Sequence, residues 1–92
     1  MSQKTNHNYY DTDGHFVGEF EKNPQNIKFR VMGGIHIHDA VLASIDITKQ
    51  YKQSVCLVFN GVNLDIKYTG KEPSIQNILT EYNKKVVQKY RG

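Results

Sequence analysis

One cysteine, no tryptophan and no apolar run longer than residues 55–59 set the first limits on this 92-residue chain. A lone Cys56 excludes a disulfide framework within the chain and any multi-cysteine zinc site. The run at 55–59 is far short of the ~20 apolar residues that a membrane-spanning helix needs. The first 13 residues contain no apolar stretch of the kind a secretory signal carries. Together with the single thiol, this points to a reducing compartment and a cytoplasmic location, with no membrane partner. A mass of 10.6 kDa leaves room for one small domain. With no disulfide or metal staple in view, its core must be efficient or be completed by a second subunit.

What is present is a charge asymmetry. Residues 1–48 hold four basic against six acidic residues, and residues 49–92 hold eight against three. A basic half of this kind can serve solubility, or it can meet an acidic protein or a polyanion.

Residues 1–14 are polar, with Tyr9 and Tyr10 as their only large apolar groups. They offer little surface to offset the entropy of ordering, so a mobile arm is expected there, followed by one domain over 15–92. Phe16, Gly18 and Phe20 alternate as in a short strand, and Asn23-Pro24 makes a turn. Ile27, Phe29 and Val31 alternate with Lys28 and Arg30, the pattern of a half-buried strand. A Met32-Gly33-Gly34 loop would then place Val31 opposite Ile35, with Gly34 in the left-handed position such loops require. Odd positions stay largely apolar from Ile35 to Ile47. The alternation predicts a long strand over 35–47, bent at Asp39, and its competitor is a helix from Ala40 to about Tyr51 capped by Asp39.

Two later segments are clearer. Residues 55–59 and 62–68 flank Asn60-Gly61, the strongest short hairpin signal, because a type I′ turn needs positive φ at both positions. The implied pairs are Phe59 with Val62, Leu57 with Leu64, and Val55 with Ile66, all on one face. Beyond Gly70 and Pro73, the apolar positions Ile75, Ile78, Leu79, Tyr82, Val86 and Tyr90 form one stripe of an amphipathic helix, capped by Glu72 or Ser74. The predicted fold is α+β: an antiparallel meander of four to five strands with one C-terminal amphipathic helix packed on the sheet.

No catalytic signature emerges. His36-x-His38 would share a strand face, as metal ligands can, but Lys28 and Arg30 would lie opposite and no third ligand is near, so no metal site is expected. Asp11-Thr-Asp13-Gly14 starts like a calcium loop, yet its sixth and twelfth positions are Phe16 and Lys22 rather than Gly and Glu. Cys56 lies mid-strand, where a thiol behaves as a small hydrophobe. No glycine loop cradles a phosphate, and no cofactor is implied.

The candidate contact residues are a basic sheet stripe, Lys28, Arg30, His36 and His38, and the helix cations Lys84, Lys85, Lys89 and Arg91. The stripe would gain charge as pH falls through ~6.5, the unperturbed histidine value. It shows no aromatic residues between its cations, unlike a sheet built to stack nucleic-acid bases. A non-enzymatic protein-binding module, an inhibitor or regulator of another protein, is therefore expected. The alternative is a nucleic-acid-binding protein that sets the same cations on phosphates. In its general look the chain is similar to many small proteins of phages and mobile elements, which commonly inhibit or redirect a host or defence protein. Val58, Leu42 and Cys56 would share the outer sheet face, which is apolar enough for a homodimer to bury.

Overall fold

The computed structural model describes residues 5–70 and 74–90. The chain runs β1 (Thr5–Tyr10), β2 (Phe16–Lys22), β3 (Ile27–Val31), α1 (Ile37–Tyr51), β4 (Val55–Phe59), β5 (Val62–Ile66) and α2 (Ile75–Tyr90). The strands form one sheet in the order β1-β2-β3-β4-β5. The α+β class is as expected, but the purely antiparallel meander and the single helix are not. β3 and β4 run parallel, and a second helix, α1, makes the crossover between them.

The hairpin at Asn60-Gly61 is the predicted one. Both turn residues have positive φ, 51° and 74°, and the three apolar pairs fall in the expected register. These side chains share the core with Phe20, Ile27 and Phe29 from the other strands. Ile75, Ile78, Leu79, Tyr82 and Val86 of α2 pack half-buried against it, with the Tyr82 ring edge-on to Phe59 at 5.6 Å. Ser74 caps this helix through its hydroxyl, which accepts from the Asn77 backbone N–H at 3.4 Å. The other expected cap, Glu72, lies outside the described residues.

Residues 37–51 correct the strand expected over 35–47. Seven of the fifteen residues of α1 are buried, on a wide arc from Ala40 to Thr48. A helix covered by the sheet and by α2 carries apolar residues on so many sides that their spacing also satisfies a period of two. Its small residues, Ala40, Ala43 and Ser44, allow close packing. Its hydroxyls are satisfied inside the helix: Ser44 Oγ donates to the Ala40 carbonyl at 2.9 Å, and Thr48 Oγ1 to the Ser44 carbonyl at 2.8 Å. The helix starts earlier than its weighed alternative. His36 occupies the N-cap position without a side-chain capping bond, and Asp39 sits in the first turn. The Met32-Gly33-Gly34 segment therefore leads into a helix instead of closing a hairpin, although Gly34 does take a positive φ of 90°.

Residues 5–10, expected within a mobile arm, are a strand of the sheet. They pair along β2 as an edge strand. Two alternate side chains anchor them: the His7 ring stacks on Phe20 at 5.1 Å, and Tyr9 meets Phe29 edge-on at 5.9 Å. The Tyr9 hydroxyl also donates to Asp46 of α1 at 2.7 Å. Pairing shifts between Tyr9, opposite Gly18, and Tyr10, opposite Phe16, so Val17 is the extra residue of a bulge. Gly18 is required by crowding, since a Cβ there would clash with the Arg30 carbonyl oxygen.

Candidate functional site

The predicted stripe is divided by the fold. Lys28 and Arg30 extend from the outer face of β3, away from the helices, and both are exposed. His36 and His38 belong to the start of α1, in the helical layer. Two apart on a helix, they no longer share a face, which removes the geometry of a strand His-x-His pair. Leu42 also moves to α1, so the outer face keeps only Cys56 and Val58 of the three apolar residues assigned to it.

Lys28 and Arg30 are matched by acids. The register of β2 against β3 sets Glu21 opposite Lys28 and Glu19 opposite Arg30. Directly opposed unlike charges contribute roughly 0.2–1 kcal/mol each, and they leave little net positive potential for a phosphate. Asn6, Glu19, Glu21, Lys28 and Arg30 line a shallow hollow of about 120 Å³ on this face. The next strand sets Cys56 beside Lys28. Burial pushes the Cys56 thiol up and Asp65 adds to this, while Lys28 and Lys85 oppose it. A thiol held protonated in this way is a poor nucleophile.

Of the helix cations, the side chains of Lys84 and Lys85 are described. Lys84 is exposed. Lys85 is half-buried and reaches across the edge of the sheet, where its Nζ donates to the Asn63 carbonyl at 2.6 Å. A lysine on an edge carbonyl blocks the pairing of another strand there. The Lys89 side chain and Arg91 lie outside the described part of the chain.

At the end of the molecule where β1 meets β2, Asp11, Asp13 and His15 bring their ligand atoms within 4.8 Å of one another. Their bonds are those of a turn. Asp11 Oδ1 accepts the backbone N–H groups of Asp13 at 2.9 Å and His15 at 2.8 Å. The bond from the His15 backbone is the largest influence holding the Asp11 carboxyl below its usual range.

The same end gathers apolar side chains that the sequence did not single out. The rings of Tyr10 and Phe16 meet at 5.6 Å, and the Met32 backbone N–H donates to the Val17 carbonyl at 2.9 Å, which brings the end of β3 alongside. All three side chains are exposed, at 54%, 37% and 52%. Around the loop, a cleft of about 360 Å³ opens between the β1–β2 loop and α1, with Leu42 at its margin, itself 41% exposed. The signal in the sequence was large apolar residues at turn boundaries, which gains meaning only once the register of three strands is known.

Among the described residues no helix is long and apolar enough to cross a membrane. Set against protein-family models, curated proteins and solved structures, the chain matches none of them.

Proposed function

We propose that this protein is a non-enzymatic binding module that occupies the surface of another protein and so inhibits or regulates it. The observation that carries this reading is the exposed Tyr10, Phe16 and Met32, gathered where three strands end. Aromatic residues and methionine are enriched at protein interfaces, and contiguous exposed apolar area marks such sites on small domains. The paired charges on the outer sheet face argue in the same direction, because Glu19 and Glu21 offset the cations that a nucleic acid would need.

The test has two arms. Titration with fluorescent single-stranded and duplex oligonucleotides at ~50 and ~200 mM salt should show no binding at the lower salt. Affinity capture from the native host with the unmodified protein and with a Phe16→Ser/Met32→Ser variant should recover a protein that the variant loses. Oligonucleotide binding that falls by orders of magnitude between the two salts would overturn the reading in favour of phosphate contacts. A partner retained in full by the variant would remove the apolar end as its contact.

A further inference from the structure

We infer that the cleft between the β1–β2 loop and α1 receives a lysine or arginine side chain of a partner protein together with an adjoining aliphatic residue. This rests on the protein-binding reading above and names the chemistry of the partner. The cleft measures about 360 Å³, within the ~300–1,000 Å³ typical of pockets that enclose a small ligand or an anchoring side chain.

Its lining is of two kinds. Val17, Ile35 and Leu42 supply apolar surface, while Asp11, Asp13 and Asp39 bring three carboxylates to the same opening. Among the described residues no lysine or arginine lines it. The N-terminus of α1 contributes a partial positive charge of about half a unit, and Asp39 in its first turn offsets that alone. Asp11 stays ionised to lower pH than an ordinary carboxylate, since backbone N–H groups stabilise its charged form. The potential at the opening is therefore negative, and a cation completes it.

The apolar part of the lining selects against a free polyamine. Leu42 continues the apolar surface outward, and Val17 adjoins Phe16 of the exposed end. A polyamine would leave this surface wet. A peptide segment with an aliphatic residue beside its cation would cover it and pair the charge at the same time.

The experiment uses the whole chain, labelled with nitrogen-15, and follows backbone amide shifts at ~pH 8, where imidazoles are ordinarily neutral. The probes are N-acetyl-Leu-Arg-amide, N-acetyl-Leu-Glu-amide and spermidine, each raised to about 20 mM to read millimolar dissociation constants. The Leu-Arg probe should shift the amides of Asp13, Ile35, Asp39 and Leu42, and bind at least about tenfold more tightly than the Leu-Glu probe or spermidine. An Asp13→Asn/Asp39→Asn variant should keep the native spectrum and lose the preference for arginine.

Equal shifts with arginine and glutamate, spermidine binding as tight as Leu-Arg, or no shift at these amides would overturn the inference. So would shifts that grow with protein concentration alone and vanish in a Lys84→Glu/Val87→Ser variant, because a second copy's α2 would then fill the cleft. A captured partner combined with equal shifts would leave the binding reading standing and remove only the cleft. No partner and no shifts would remove both.

Discussion

α1 and α2 are nearly equal in length, 15 and 16 residues, and opposite in their relation to solvent. α1 buries seven side chains on a wide arc, whereas none of the described side chains of α2 is fully buried. α2 presents one apolar stripe with polar residues around it, the arrangement that helical periodicity detects. α1 packs against the sheet on one side and against α2 on another, so most of its circumference is apolar or small and its period is blurred. A helix is thus hardest to recognise where it contributes most to the core.

The largest effect that separates the two helices should come from truncating their aliphatic residues. Ile47, fully buried in α1, should cost about 2–5 kcal/mol as Ile47→Ala. Leu79, half-buried in α2, should cost about 1–2 kcal/mol as Leu79→Ala, in proportion to the area it hides. Urea unfolding of both variants measures the difference, and equal losses would break the comparison.

Each helix also holds one edge of the sheet by a polar bond, Asp46 with Tyr9 of β1 and Lys85 with the Asn63 carbonyl of β5. Tyr9→Phe should cost about 1 kcal/mol, and Lys85→Met less, since its bond is exposed to water. Burial, reinforced by Asp46, keeps the Tyr9 phenol protonated well above its ordinary range. In the unfolded chain the phenol ionises near pH ~10, so the contribution is complete below that pH and is lost as pH rises toward the folded value. The stability of the unmodified protein should therefore fall more steeply above pH ~10 than that of Tyr9→Phe, which alkaline unfolding curves would read.

The smallest contrast compares one bond in two settings. Thr48 in α1 and Thr80 in α2 each donate to the carbonyl four residues back, at 2.8 and 2.9 Å. Serine keeps the bond and removes a methyl. Thr48→Ser should cost about 1 kcal/mol because its methyl is buried, and Thr80→Ser only a few tenths, about 0.3 kcal/mol, in thermal or urea unfolding.

What could be read from the residues follows the same division. The β4–β5 hairpin was legible because turn chemistry and apolar alternation demand the same register. α2 was legible from its stripe. β1 was not, because its hold on the domain comes from Tyr9 and His7 meeting partners far along the chain, while Thr5, Asn6 and Asn8 are polar and Tyr10 is exposed. The outward direction of Lys28 and Arg30 was legible from alternation. Their neutralisation was not, since it depends on the register of β2 against β3, which the Asn23-Pro24 turn alone does not set. His36 and His38 moved with the helix that replaced that strand. The cleft at the loop end combines three separate segments, and no spacing within any one of them announces it.

The parallel junction of β3 with β4 bears on how the chain assembles. β1 to β3 can pair through local turns, and β4 with β5 through two residues, before either group has met the other. Their union closes the long segment that holds α1, and closing it costs more chain entropy than either local turn. The middle of the sequence is therefore the clasp of the domain: two locally paired ribbons are joined along β3 and β4, and the segment that forms α1 spans the join.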